Sequence, residues 1–425
     1  MRTNISKSIG FVFHLIMCSL VSVMFLFCQS SRLDNSCDPL SGKYRDLIAL
    51  EAYFETDLSP CIKLPEKKVC ELSLFQSVQS KYWYLIQNEL KRQAAMGARS
   101  PSSGLVLSPV TGLAKWLGGV LAPNGKIYGI PYTENNILVF DPGTNSSKLI
   151  PAPLTGAGKW EGGVLAPNGK IYAIPRNADS ILVIDPTTDT VTTFPSPVTG
   201  TAKWRGGVLA PNGKIYGMPV DQNSILVIDP SDHTATSFVS PVTGTNKWEG
   251  GALAPNGKIY GIPLDSDQIL IIDPSNDTAT SIPAPKTGLG KWRQGVLTSR
   301  GLIFGMPSSE NSLLVIDPSA NTTYYLSPPI SGTAKWRGGV LSPDGKIYAM
   351  PADASDILIF DPETYVSSTL AAGPSFGNKW GDGVLTSSGK IFTIPHTNDN
   401  FLQIDTASNG ALCDSILLSG YYNRY

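Results

Sequence analysis

Histidine is scarce in this chain, cysteine is sparse, and net charge is all but absent. The three histidines, His14, His233 and His396, are too few and too scattered for an imidazole-rich metal centre. With no CxxC pair among six cysteines, neither a structural zinc site nor any other resident metal or cofactor is expected. Lys and Arg number 33 against 34 Asp and Glu, for a net charge of −1. That balance argues against a nucleic-acid partner, because such a protein needs a basic face to release counterions from phosphates. No GxSxG, HExxH, phosphate loop or Ser-His-Asp arrangement is present. From residue 104 onward no unit holds twelve residues able to form an uninterrupted amphipathic helix, which excludes a helical solenoid.

The one long apolar run lies at the N-terminus. Arg2 and Lys7 precede FVFHLIMCSLVSVMFLF at 11–27, the pattern of a secretory signal, with a retained membrane anchor as the alternative. Cys28 follows, then the polar stretch QSSRLDNS. This arrangement resembles a bacterial lipoprotein signal, which implies lipidation at Cys28. Phe27 departs from that pattern, which wants a small residue before the cysteine. Cleavage after Ser30 competes, with Cys28 and Ser30 as the small residues at the third and first positions before the cut.

Residues 31–103 form an N-terminal segment outside the repeats. Leu72, Leu74, Phe75, Val78, Tyr82, Leu85 and Leu90 recur mostly at helical spacing, so a helix is expected over 71–93. Trp83 in it reads as a packing residue, and ARSPSSG at 98–104 reads as a linker. Cys37, Cys61, Cys70 and Cys413 would form two disulfides in an exported protein, with three possible connectivities.

From 104 to 425 the chain is a repeat array. Tryptophans stand at 116, 160, 204, 248, 292, 336 and 380, each 44 residues after the last. Each unit offers GGVLA, a Pro-Asn-Gly turn, KIYGIP, a polar loop, ILVFD, an Asp-Pro turn and a fourth apolar stretch. Asn-Gly between apolar runs marks a tight hairpin, and the prolines forbid a continuing helix. The expectation is an all-β, seven-bladed β-propeller of four-stranded repeats, monomeric, with its sheet edges protected by radial closure. The Gly-Gly strand should line the crowded central channel. Two segments compete to close the ring: GLVLSPVTG at 104–112 and ALCDSILLSG at 411–420.

Lys115, Lys159, Lys203, Lys247, Lys291, Lys335 and Lys379 each precede the repeat tryptophan. On one face they could form a cationic ring that binds anionic ligands. The competing reading makes each Trp a wedge between blades and pairs each Lys with a loop acid: Glu134, Asp179, Asp221, Asp265, Glu310, Asp353 or Asp399. Asp141 and its counterparts at 185, 229, 273, 317, 361 and 405 read as turn formers.

Catalysis needs asymmetry, so departures from the repeat matter. Unit five carries Arg293-Gln294-Gly295 and Ser299-Arg300-Gly301; unit seven carries Gly381-Asp382-Gly383 and His396. His396, Asp399 and Asp382 are the catalytic candidates, and His233 falls in a turn on the opposite face. The Pro-Asn-Gly-Lys-Ile-Tyr stretch resembles the hairpins of short-repeat bacterial propellers of the NHL-like and streptogramin-lyase-like kind. That resemblance covers 104–425 and implies the propeller. The lyases of that kind need a histidine pair with a metal, and only His396 is available here. The expected function is an exported or surface-anchored binding or scaffold module for a protein or glycan ligand. It would be held at the cell envelope by its N-terminal anchor or lipid, or be secreted or periplasmic. The alternative is a lyase or hydrolase working in the central funnel.

Overall fold

The computed structural model describes residues 100–327, 331–373 and 377–406. The chain divides into Met1–Val78 and Gln79–Tyr425, and every described residue belongs to the second unit. The expected signal, Cys28, the 71–93 helix, the other cysteines and the 411–420 segment all lie outside the described residues.

Within each repeat the apolar runs become strands and the Gly/Pro/Asn clusters become turns. Blade 1 is built from Trp116–Leu121, Ile127–Pro131, Asn136–Asp141 and Ser146–Pro151, each strand antiparallel to the next. Inner strands of the following blades begin at Trp160, Trp204, Trp248, Trp292, Trp336 and Trp380. Seven four-stranded sheets result, and the protein is a seven-bladed β-propeller. The Asn-Gly hairpin closes as its chemistry requires. Gly125 adopts a φ of 77°, its N–H donates to Ala122 O at 2.9 Å, and Lys126 N–H donates to Asn124 Oδ1 at 3.0 Å. Blade 5 keeps the turn without the asparagine, because Gly301 supplies the same positive φ.

The inner and middle strands are buried almost throughout, whereas the outer strands alternate between exposed and half-buried residues. The core lies between blades. Trp160 of blade 2 packs with Val120, Tyr128, Ile130 and Val139 of blade 1 and with Leu182 and Ile184 of its own blade. Each tryptophan is thus a wedge, and its indole N–H donates to the carbonyl 20 residues on, as Trp160 does to Ser180 O at 2.8 Å. The glycine pair has a divided duty, and its second member departs from the expected channel lining. A Cβ on Gly163 would lie 2.7 Å from Ile130 of the preceding blade, so this second glycine makes room for blade packing.

The ring closes through the N-terminal side of the propeller. Ser102–Leu107 pairs antiparallel with Asn400–Asp405 and completes blade 7 as its outer strand. Val106 packs on the cluster of Trp116, Phe140, Phe392 and Phe401, which joins blades 7 and 1.

On the lower face, where the hairpin turns lie, asparagines lock neighbouring blades together. Asn124 Nδ2 donates to Pro186 O at 2.8 Å, and Asn168, Asn212 and Asn256 repeat this bond to Pro230, Pro274 and Pro318. Blade 6 has Asp344 instead, which lacks the donor. Burial pushes its carboxyl above the ordinary carboxylate value.

Two outcomes follow from this arrangement. Val106→Asp should destabilise the propeller by about 2–3 kcal/mol, whereas Leu105→Asp, at a position 54% exposed, should change stability by less than about 0.5 kcal/mol. Equal effects in urea unfolding would contradict closure by this strand. Asp344→Asn should stabilise by about 1 kcal/mol by restoring the blade lock. An acid raised in the folded state contributes stability that is lost as pH rises through its folded value, so the gain should grow with pH above the ordinary carboxylate range. A gain confined to acidic pH would contradict the raised carboxyl.

A charged cluster at the mouth of the central channel

Inner strands start, second strands end and third strands start on one face of the disc, here the upper face. The lysine series belongs to it and is buried to 3% exposure or less. Lys159 Nζ donates to the carbonyls of Glu134 and Gly156 at 2.9 and 2.8 Å, with Thr133 O at 3.2 Å. Lys247 Nζ donates to Val220 O, Gln222 O and Gly244 O at 2.7–2.9 Å. Carboxylates accept from Lys115, Lys203 and Lys291, through Asp399, Asp179 and Asp267. Lys335 Nζ donates to Glu310 O, and Lys379 Nζ to Ala354 O. Six of the lysines also donate to the glycine carbonyl three residues before them, and five reach a backbone carbonyl of the preceding blade's loop. The expected acids are found at Lys115 and Lys203, while Asp267 takes the place of Asp265 at Lys291. Asp221, Asp265 and Asp353 instead accept from backbone N–H groups of the next loop, at Asn246, Gly290 and Asn378. These placements favour blade assembly over ligand contact for the seven lysines.

The residue directly after each repeat tryptophan behaves differently. It reads Leu117, Glu161, Arg205, Glu249, Arg293, Arg337 and Gly381 around the ring. Arg205 Nε lies 2.9 Å from Glu161 Oε1, and its Nη1 donates to Glu249 Oε2 at 2.8 Å. Arg293 Nε and Arg337 Nε approach Glu249 at 3.5 and 3.4 Å. Arg176, from the loop after the second strand of blade 2, brings Nε to 3.2 Å from Glu161 and donates through Nη1 to Tyr132 Oη. Glu249 belongs to blade 4 and Arg337 to blade 6, so the cluster bridges non-adjacent blades around the axis.

One residue further on, the ring is mostly glycine. Gly118 has a φ of 94°, and a Cβ there would sit 2.7 Å from Gly162 Cα of the next blade. The backbones come so close that side chains at this level have little room. Only Gln294 and Asp382 carry larger ones, and the Gln294 amide donates to Asp382 Oδ1 from two blades away.

Burial shapes the protonation of the cluster. Burial opposes ionisation of Glu249, but Arg293, Arg205 and Arg337 together outweigh it and hold the carboxyl down at about 2. Asp382 is pushed up to about 7 by burial, against the pull of Arg337. Burial also lowers the Arg293 guanidinium from its usual value. Arg337 is 8% exposed, and its Nε and Nη1 have no hydrogen-bond acceptor among the described residues.

The three catalytic candidates do not converge. His396 is buried and held down at about 3, first by desolvation and then by Arg337. Its Nδ1 lies 3.2 Å from Trp116 O, which can only accept, so Nδ1 carries the proton. Its ring meets Tyr132 edge-on. Asp399 accepts from Lys115 Nζ and Gly112 N, each at 3.0 Å. Only Asp382 joins the axial cluster. His233 lies in the lower-face turn between Asp229 and Thr234, packed near Tyr172 and Phe194. The departures at Arg293, Gln294 and Asp382 were visible in sequence, whereas Glu161, Arg205, Glu249, Arg337 and Arg176 were not singled out. The signal for Glu161, Arg205, Glu249 and Arg337 was a change of charge at one column of the Lys-Trp-x-x-Gly-Val/Ala-Leu stretch, whereas Arg176 stands outside that column, in a loop.

No protein-family model and no curated protein matches the chain. Solved structures do. A streptogramin B lyase structure aligns at 14% identity and TM-score 0.62, covering 73% of this chain and 99% of that one. Virginiamycin B lyase from Staphylococcus aureus gives 14% and 0.61, covering 72% and 99%. The extracellular domain of a hybrid two component system from B. thetaiotaomicron gives 11% and 0.57, covering 72% of this chain and 43% of that one. Such identities establish a shared fold. The same scaffold serves enzymes and extracellular domains, so activity must be argued from the channel itself.

The cluster generates a pH dependence of known sign. Asp382, raised in the folded state, contributes stability that is full below its unfolded value near 4 and is lost as pH rises through about 7. His396, lowered to about 3, acts oppositely: its contribution is present above about 6.5 and is lost as pH falls toward 3. Asp382→Asn should therefore gain on the parent by about 1–3 kcal/mol between pH 5 and pH 8 in urea unfolding. A difference that stays flat across that range would exclude the raised carboxyl.

Proposed function

We propose that the chain is an exported recognition module that binds a small ligand at the upper mouth of its propeller channel. The observation that carries this reading is the charged column after the repeat tryptophans. Neighbouring positions serve assembly: Lys binds carbonyls, Trp wedges blades, and the second glycine admits a side chain of the preceding blade. Burying charge is costly, and apolar replacements of similar volume are often neutral or stabilising. Leu117 and Gly381 demonstrate that the column tolerates uncharged residues. A cluster of four arginines and three acids is therefore better accounted for by a bound partner than by blade assembly. Export rests on the basic start and apolar run of residues 1–30, and the extracellular domain among the similar folds is compatible with it. The buried position of the cluster favours insertion of a small chemical group, whether that group belongs to a glycan or to a peptide.

A second reading, an enzyme of the channel, is favoured by one observation. Asp382, raised to about 7 beside Arg337, lies in the range that suits a general base at neutral pH. Thermal-shift screening of saccharides, peptides and small metabolites would test both readings. A ligand present at 100 times its Kd should stabilise the protein by about 2.7 kcal/mol. Arg205→Met should abolish that shift. Stabilisation that survives the substitution unchanged would remove binding from the channel. If mass spectrometry finds the ligand converted by the parent, while Asp382→Asn binds it without converting it, the enzyme reading replaces the first.

A further inference from the structure

The charges of the cluster do not balance. Arg176, Arg205, Arg293 and Arg337 face Glu161, Glu249 and Asp382, and the last is half-protonated near neutral pH. Glu161 is shared by two guanidiniums and Glu249 by three. Arg337 fares worst. Its one ion pair among the described residues is the 3.4 Å approach of Nε to Glu249, and its buried Nη1 has no acceptor there. Five N–H groups in a planar fork, buried and under-used, are suited to an acceptor that is itself planar and forked.

From this, and resting on the reading of the mouth as a binding site, we infer that the channel takes a carboxylate-bearing ligand. Its carboxylate is received by the guanidinium of Arg337 beside Gln294 and Asp382. With Asp382 protonated, four guanidiniums face two carboxylates, and a single carboxylate lowers that excess of positive charge from two to one. A phosphate or sulfate dianion would instead meet Glu249, Glu161 and any ionised Asp382 at close quarters. The protonated Asp382 carboxyl can donate a hydrogen bond to the incoming carboxylate, whereas the ionised form repels it and neutralises Arg337 in its place. Tyr132 and His396, in edge-on contact beside Arg176, offer an aromatic wall for an uncharged body attached to the carboxylate.

Binding is thereby coupled to a proton. The groups that face Asp382 are Arg337, Glu249, Glu161 and the Gln294 amide. Glu249 is ionised throughout the neutral range, so Asp382 is the group that titrates there. Affinity should be nearly constant between about pH 5 and pH 6, above the range where the ligand's own carboxyl is protonated, and fall toward tenfold per pH unit well above 7, with uptake of a proton on binding.

Titration calorimetry on the full chain with benzoate, its neutral analogue benzamide, inorganic phosphate and an uncharged sugar panel tests this. Benzoate should bind and benzamide should not. Benzoate affinity should fall at least tenfold in Arg337→Met and about tenfold between pH 6 and pH 8 in the parent. In Asp382→Asn the pH dependence should vanish. Proton uptake, read in the parent from two buffers of different ionisation heat, keeps the inference testable if Arg337→Met does not fold. Phosphate binding without benzoate binding overturns the carboxylate class, and its loss in Arg337→Met would keep the mouth as the site. A sugar bound through Arg205 and indifferent to Arg337→Met likewise overturns only the class. If no probe binds and Arg337→Met is more stable than the parent, the cluster is a structural ion network and both readings fall.

Discussion

A lysine ammonium buried at the seam between two blades sets the geometry of the upper face. An ammonium removed from water must have its donors satisfied or the fold loses several kcal/mol. Around Lys159 that demand draws in the carbonyls of Thr133 and Glu134 from the preceding blade's loop, and of Gly156 from its own. The loop after each second strand is thereby pinned to the start of the next inner strand. The adjoining tryptophan then has one place to go, between the blades, with its indole N–H on the third strand. Burial lowers the ammonium of Lys247 and Lys335 to about 8, a measure of how fully these groups have left water.

What the pins hold in place is the ring of residues that follows each tryptophan. Because the next ring is glycine with backbones almost in contact, the side chains before it crowd around the axis, and residues from blades two apart meet. Arg205 links Glu161 to Glu249, while Gln294 and Asp382 join across blade 6. In so dry a place a carboxyl is governed by its nearest guanidiniums. Glu249 has three and is driven low, whereas Asp382 depends mainly on Arg337 and stays high. Two acids of the same cluster are thus set on opposite sides of neutrality by their neighbours.

The ring also has to be closed, and closure couples the propeller's start to its end. Ser102–Leu107 supplies the outer strand of blade 7, Ser108 N–H donates to Asp399 O, and Asp399 in turn binds Lys115 and Gly112. The carboxylate considered as a catalytic candidate therefore belongs to the clasp. His396 is similarly committed through its backbone, accepting from Lys115 N and donating to Lys379 O.

The 44-residue spacing of tryptophans, the Asn-Gly hairpins and the alternation of apolar runs with turn residues were enough to establish seven four-stranded blades. Those signals are local, each contained within a few residues of chain, and so they can be read without coordinates. The aspartates at the ends of the third strands were legible for the same reason: Asp185 accepts from Thr187, two residues on. Which segment closed the ring was not legible, because residues 104–112 and 411–420 carry equally good strand patterns. The choice lay in a pairing between residues some 300 positions apart. Nor could the sequence reveal that Glu161, Arg205, Glu249 and Arg337 form one site. They are separated by whole repeats and meet only because seven blades close around a common axis. The sequence by itself determined the module and its number. The tertiary structure alone decided where the charges converge, that the lysines leave solvent and which acid is raised to neutrality, since each of these depends on contacts between blades.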